Sequence, residues 1–473
     1  MGNLLAASLD GFWNSQFYQK GDTGRAIAGK IDAGKTEELC CTVNLVNLYK
    51  VAIVMPTPKN SLTRFFGEYF IYLLPSAFIV YLVLESYQID FRPYYVAGKA
   101  VLFGLDPYLN HVNNYPEFYT PINANVSPGS GFIYPPFASL LFAPLALLPY
   151  VNAKVYYSVA ILLILWLLLF ELVRYSRFET KGDSLLFAMG SFPVFANFER
   201  GQIDILVCYL TILSFLVYQR RQPQAISGFL LALACCIKLF PGIAVFYYLY
   251  KRNYKLVAYT FGFMGILFLA PIAYFDTSVY TNYGKRIMPK IFGALTSPVA
   301  ISTHGQQVVD RVVKSFDSNG LRVTHDFVHG YMNPFLRNNL GGSIVVGAIA
   351  FAVLLYYLRH SAIGHQFFSV MTSIFLFNPQ TWIMGLVWYI PFFVYLFNKA
   401  NHLGKFVLVL PLFMPPFTNS NGMLAYAIVL AFAIPKSRHR LLDPSLSTEI
   451  RNNPLSQSGR IALGEGVRGI AGI

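Results

Sequence analysis

A lone carboxylate, Asp90, stands where a long apolar run gives way to an aromatic, polar segment. That segment begins Gln88-Ile89-Asp90-Phe91-Arg92-Pro93-Tyr94-Tyr95 and runs to Phe132-Ile133-Tyr134-Pro135-Pro136. The run before it, roughly Phe65 to Leu84, is long enough for the hydrocarbon core of a bilayer, and the Lys59 and Arg64 flank marks its start as cytoplasmic. Asp90 is therefore expected on the opposite face. There a carboxylate can act as general base on a molecule arriving from outside, toward a partner dissolved in lipid. The alternative is that Asp90 caps a short helix over Tyr94 to Phe103, a role that Ser, Thr or Asn would fill equally well. Read locally, both stay open.

A second charge of interest is Lys238, inside Cys235-Cys236-Ile237-Lys238-Leu239-Phe240-Pro241-Gly242. An unpaired ammonium in such a run costs about 2.5–3.5 kcal/mol on insertion scales. Lys238 either faces a cavity or an anion, or snorkels along its stem to the headgroups beside a helix break. Asp106, before Pro107, reads as a turn residue.

The elements that must position these groups are membrane helices. Hydrophobic residues make up 55% and charged residues 12% of the 473, with a mean hydropathy of +0.48, against about 25% charged in a soluble domain. Apolar runs recur at about 137–148, 155–172, 185–198, 203–217, 228–250, 257–274, 344–358, 367–377, 383–397, 406–413 and 423–434. With the first they suggest roughly a dozen spanning or partly spanning helices, several short of the expected ~20 residues, so the bundle should enclose a polar cavity that satisfies their ends. The helix over Tyr94 to Phe103 is expected to lie along the interface with Tyr94, Tyr95, Val101 and Phe103 on its apolar side, ending at Gly104.

The net charge of +14 sits in short connectors such as Arg174 to Lys181, Arg220-Arg221, Lys251 to Lys255 and Lys436 to Arg440. That is the distribution of membrane topology, with no basic domain for nucleic acid. Lys251-Arg252 and Lys436 to Arg440 read as cytoplasmic, which puts the polar segment from Asp276 to Asn339 outside with Asp90; the Arg174 and Arg220 clusters fit simple alternation less well. The five cysteines, Cys40, Cys41, Cys208, Cys235 and Cys236, have neither the spacing of a zinc site nor that of a disulfide framework. Residues 1–58 read as a cytoplasmic extension in which Met55 is an alternative start. Residues 59–435 form the spanning domain, and 436–473 a polar cytoplasmic tail with little reason to fold.

The succession Asp90, Gly104-Leu105-Asp106-Pro107-Tyr108, Phe132-Ile133-Tyr134-Pro135-Pro136, Gly201-Gln202, Gly228 with Ala232, Lys238 and Pro241, then Lys251-Arg252 resembles a family of bacterial membrane glycosyltransferases. These are the polyprenyl-phosphate-sugar-dependent enzymes of the GT-C fold, of the family 87 type. They include the mycobacterial phosphatidylinositol mannoside mannosyltransferases and arabinofuranosyltransferases. Downstream, Gly305 to Arg311 and Asn378-Pro379-Gln380-Thr381-Trp382 match two further segments imperfectly.

The resemblance implies an all-α, GT-C-like polytopic protein of a bacterial cytoplasmic membrane, with two long extracytoplasmic loops. It implies inverting transfer of a sugar, foremost mannose, from a polyprenyl-phosphate donor to a glycolipid or glycan acceptor outside. Asp90 would be the catalytic base, and Lys238, Arg200 and Arg311 would meet the donor phosphate, although Arg200 could instead pair with Glu199. Tyr134, Gln202, Gln307, His325 and His329 would meet sugar or acceptor, the histidines having the plainer reading of solvated loop residues. No cofactor or metal is expected, since such donors are not sugar nucleotides. The runner-up readings are arabinofuranosyl transfer by the same chemistry and a transporter or flippase of a lipid-linked sugar, which the helix break at Lys238 to Gly242 would suit.

Overall fold

The computed structural model describes residues 61–86, 88, 90–111, 113–119, 131–176, 182–289, 331–332, 340–377, 380–381, 383–413 and 421–442. The N-terminal extension, Arg311, Gln307, His304, His325, His329 and most of the polar segment after Lys285 lie outside these. Among the described residues the chain is helical, apart from one two-residue antiparallel pairing of β1 (Tyr331–Met332) with β2 (Gln380–Thr381).

The first helix, α1 (Ser61–Glu85), is followed by α2 (Phe91–Leu102), α3 (Pro136–Ala146) and α4 (Tyr150–Ser176). Then come α5 (Asp183–Met189), α6 (Phe192–Arg200), α7 (Asp204–Gln219) and α8 (Gln224–Ile237). A short 3-10 turn, Phe240–Gly242, leads to α9 (Ile243–Tyr250), α10 (Tyr254–Phe275) and α11 (Ser278–Asn282), which runs on into a π-helical turn, Tyr283–Ile287. The C-terminal part holds α12 (Leu340–Leu358), α13 (Ile363–Met371), α14 (Ile374–Phe377), a 3-10 stretch Ile383–Tyr389, α15 (Ile390–Phe397), α16 (His402–Phe413), α17 (Asn421–Ala433) and α18 (Pro435–Leu441).

Among the described residues two helices, α4 and α10, are long and apolar enough to cross a membrane, or three if α5–α6 and α7, bent by 118° at their break, count as one broken span. Shorter apolar helical stretches of 10–17 residues include Tyr72–Glu85 within α1, Gln224–Ile237 and Val345–Leu358 within α12. Proline sets several starts, at Pro136, Pro193, Pro391 and Pro435, where its missing N–H would have had no partner in any case. Runs read as two spans in sequence, near 185–198 and 203–217, are the two arms of the bent unit.

Burial separates an inner and an outer set of apolar side chains. From Leu386 to Phe397 every residue is buried, and Trp388 and Tyr389 are among the largest fully enclosed side chains. This segment packs against α4, α5, α6 and α13, as expected of a helix that is apolar all round. On α4, by contrast, Val151, Tyr156, Val159, Leu163, Leu167 and Phe170 point outward, and on α10 so do Phe261, Ile266, Phe268 and Leu269. An outward apolar stripe on two helices of spanning length is what lipid as solvent selects.

Two expectations change. α2 starts at Phe91, and most of its residues from Phe91 to Val101 are buried; of the four side chains expected on its apolar side, Tyr94, Tyr95 and Val101 are buried and Phe103, just beyond the helix, is about half exposed. It is packed into the bundle against α3, with Tyr94 stacked on Phe142 at 4.6 Å, rather than lying along an interface. The tail does not lose structure at Pro435. α18 continues to Leu441, and Leu441 and Leu442 are buried, with Leu442 bridged to Ala400.

Candidate functional site

The site grows from the link between α1 and α2. Lys154 of α4 donates from Nζ to the carbonyls of Ser86 at 2.6 Å and Leu84 at 3.4 Å, so a cation closes the C-terminal end of α1. Gln88 is buried in left-handed backbone, φ 56°. Its side-chain amide donates to Ser158 Oγ at 2.7 Å and to the Phe198 carbonyl at 2.8 Å. These bonds tie the link to α4 and α6, which is how an unfavourable φ persists.

Asp90 follows at the head of α2, where its side chain makes no capping bond. The carboxylate instead faces Arg200 at the end of α6. Arg200 Nε donates to Oδ2 at 2.5 Å and Arg200 Nη2 to Oδ1 at 2.9 Å, a bidentate pair. Gln202 Nε2 donates to Oδ2 at 2.8 Å, and the Asp90 backbone N–H donates to the Arg200 carbonyl at 2.8 Å. Oδ2 thus carries two of these bonds and Oδ1 one, and the side chain keeps 21% of its surface exposed.

Gly201 makes this possible. It ends α6 in left-handed conformation, φ 71°, and a Cβ there would lie 2.6 Å from Phe91 Cβ and 3.0 Å from Gln88 Cβ. Only glycine lets the turn form and the Asp90 link approach it, so Arg200 and Gln202 reach the same carboxylate from either side of the break.

The start of α7 adds Asp204, whose Oδ1 accepts from Lys238 Nζ at 2.8 Å; the two side chains are 5% and 16% exposed. Lys238 sits where α8 ends in extended backbone, φ −149° and ψ 133°. Its ammonium lies 5.7 Å from the Tyr134 ring centroid and 5.4 Å from that of Phe240. Tyr134 in turn accepts from Tyr94 Oη at 2.7 Å, and Tyr94 Oη also lies 3.4 Å from Gln202 Oε1. Burial pushes the Tyr134 phenol above its ordinary pKa, so it stays a neutral hydroxyl. Two acid–cation pairs therefore flank a bridge of Tyr134, Tyr94 and Gln202.

Five residues singled out in sequence come together here: Asp90, Arg200, Gln202, Tyr134 and Lys238. Arg200 and Gln202 both bond the Asp90 carboxylate, and Lys238, of its two readings, faces an anion, Asp204. Asp106 closes its turn through Tyr108 N–H at 2.8 Å, and Asn282 donates to its other oxygen at 2.5 Å, fastening the first loop to α11. The tyrosine of that turn, Tyr108, donates to the Tyr134 carbonyl at 2.7 Å.

Sequence reasoning missed Asp204 and gave Tyr94 only a packing role. A signal for Asp204 was present: it and Lys238 are opposite charges in neighbouring apolar runs, each costly alone. In the Arg220 connector the guanidinium pairs with Glu171 of α4.

A profile of glycosyltransferase family 87 matches residues 132–379, just over half of the chain. The chain belongs to glycosyltransferase family 87. Within the matched region of this family 87 chain lie Tyr134, Arg200, Gln202, Asp204 and Lys238, while Asp90 and Tyr94 precede it. A polyprenol-phosphate-mannose-dependent alpha-(1-2)-phosphatidylinositol mannoside mannosyltransferase of Mycobacterium tuberculosis (strain ATCC 25618 / H37Rv) is 28% identical over 186 residues, which is 35% of this chain and 40% of that protein. A polyprenol-phosphate-mannose-dependent alpha-(1-2)-phosphatidylinositol pentamannoside mannosyltransferase of Mycolicibacterium smegmatis (strain ATCC 700084 / mc(2)155) is 29% identical over 174 residues, 35% of this chain and 38% of that protein. The chain thus spans about two fifths of the length of the curated relatives it matches.

Proposed function

We propose that this protein transfers a hexose, foremost mannose, from a polyprenyl-phosphate donor to a glycolipid or glycan acceptor on the extracytoplasmic face of a bacterial cytoplasmic membrane, with inversion at the anomeric carbon. The observation that carries the reading is the carboxylate of Asp90. Rather than capping α2, it is held by Arg200 and Gln202 beside a cation-bearing, tyrosine-lined cluster.

In the proposed step an acceptor hydroxyl lies against Oδ1, the oxygen with the spare lone pair. Its oxygen attacks the anomeric carbon, the bond from that carbon to the phosphate oxygen breaks, and the polyprenyl phosphate leaves with the bonding electrons. The proton passes to Asp90. The hydroxyl acidifies as its oxygen bonds to carbon, so the proton moves late in the step. General-base help of this kind contributes about 10²–10⁴-fold, leaving orientation and charge stabilisation as the larger demand. Lys238, beside Tyr134, supplies positive charge for the departing phosphate, and Tyr134 and Tyr94 supply neutral hydroxyls for the sugar. Arg200 and Gln202 fix the base.

The descriptions of the relatives, polyprenol-phosphate-mannose-dependent phosphatidylinositol mannoside mannosyltransferases, support mannose as the sugar and a phosphatidylinositol mannoside as the acceptor we propose. Purified protein incubated with radiolabelled polyprenyl-phosphate mannose and an envelope lipid extract should form a labelled glycolipid. Movement of donor across a vesicle membrane with no covalent product would make the protein a flippase, and labelling from an arabinofuranosyl donor alone would change the sugar. Mass spectrometry of envelope glycolipids from cells with and without the protein names the acceptor.

A further inference from the structure

Asp204 has no part in the step above, yet it is among the most enclosed acids described, 5% exposed in its side chain. It opens α7, directly after the Gly201 break, where the helix N-terminus favours a carboxylate. Its partner Lys238 lies 34 positions on, at the break that ends α8. Two interruptions of apolar helices therefore meet through one 2.8 Å ion pair, and the ammonium of that pair lies against Tyr134, itself bonded to Tyr94. Pure neutralisation of a buried lysine would not require this placement beside the tyrosine bridge.

We infer that Asp204 is a positioning residue for the lipid donor, holding the Lys238 ammonium charged and aimed at the place its phosphate occupies. The inference rests on the reading of Lys238 as a phosphate contact given under Proposed function. With the site empty, Asp204 balances Lys238, so no lone charge stands in the apolar bundle. When a phosphodiester enters, the ammonium is shared between carboxylate and phosphate. Among the described residues, the ionisable groups that act on Lys238 are Asp204 of α7, Tyr134 ahead of α3 and Asp90 ahead of α2. Of these Asp204 alone bonds it directly. Without Asp204 a lysine in apolar surroundings gives up its proton more readily, and the positive charge is lost as pH rises.

The test is equilibrium binding of a short-chain polyprenyl-phosphate mannose to purified protein in detergent at pH 6.5 and pH 9, which requires no acceptor. The phosphodiester keeps one negative charge across that range, so any pH response belongs to the protein. Wild type is expected to change Kd less than about threefold. Asp204→Asn should bind within a few-fold of wild type at pH 6.5 and weaken by about tenfold or more at pH 9, the response of about one pKa unit or more lost from the lysine. Lys238→Met should bind weakly at both, and Asp204→Asn with Lys238→Arg should lose the pH response because the guanidinium stays charged. If Lys238→Met binds like wild type, the phosphate reading of Lys238 itself fails. If it binds weakly while Asp204→Asn shows no pH response, only the role of Asp204 is overturned. Should Asp204→Asn not fold, Asp204→Leu with Lys238→Leu removes both charges; it is expected to weaken donor binding at least tenfold, and wild-type affinity would overturn the inference.

Discussion

At the scale of single residues, the decisive contrast is between a carboxylate that caps and a carboxylate that is held. Asp90 occupies the N-terminal position of α2 without bonding that helix, and three side-chain hydrogen bonds from Arg200 and Gln202 fix it instead. Replacing it by Asn keeps the shape and removes the proton acceptor. Transfer by Asp90→Asn should fall about 10²–10⁴-fold with donor Kd little changed, read from initial rates beside the binding measurement. Near-normal turnover would return Asp90 to a structural part. Arg200 offers a second discrimination, because lysine keeps its charge but cannot form the two-pronged bond. Arg200→Lys should lower kcat by about tenfold or more and leave donor KM alone. A rise in donor KM with kcat unchanged would place Arg200 on the phosphate after all.

At the scale of elements, function depends on where helices stop. The break at Gly201 bends α5–α6 and α7 by 118° and brings Arg200, Gln202 and Asp204 to one place. The break after Ile237 does the same for Lys238. Gly201→Ala meets two penalties, left-handed backbone for a residue with Cβ and a collision with Phe91 and Gln88, together about 2–5 kcal/mol. Gly104 also has positive φ, 65°, but a Cβ there would touch nothing within 4 Å, so Gly104→Ala should cost about 1–2 kcal/mol. Denaturant unfolding of the two variants in one detergent measures the difference, and equal losses would show that the close approach at Gly201 is unimportant.

At the scale of the whole molecule, α4 and α10 turn apolar faces outward, and the described interior holds two acid–cation pairs at the site, Arg200 with Asp90 and Lys238 with Asp204. Sidedness decides whether the proposed donor can reach that site. The Lys59, Arg64 and Lys251-Arg252 flanks predict Asp90 and its loop outside and α18 inside. In a background lacking the five native cysteines, Asn113→Cys, at an exposed position, should react with an impermeant maleimide in intact spheroplasts. Ser437→Cys should react only after permeabilisation. The reverse pattern would invert the orientation and call for a cytoplasmic donor.

The sequence by itself determined the membrane character, the helical class and the family, because composition and hydropathy respond to the solvent and because ordered motifs survive in the chain. It also pointed to Asp90, Tyr134, Arg200, Gln202 and Lys238, since charged and polar groups in apolar surroundings are rare enough to stand out. Partnership was decided only in three dimensions. The separation between Asp90 and Arg200 is 110 positions and that between Lys238 and Asp204 is 34, and nothing local says which cation meets which acid. The adjacent acid Glu199 is visible to Arg200 in one dimension, whereas the two-pronged bond to Asp90 exists only in the fold. Likewise Tyr94 read as part of an interfacial face, and only the packing of α2 on α3, with Tyr134 beside it, made it a hydrogen-bond donor in the site. A one-dimensional pattern records the cost of burying a charge; the tertiary structure chooses the partner that offsets it.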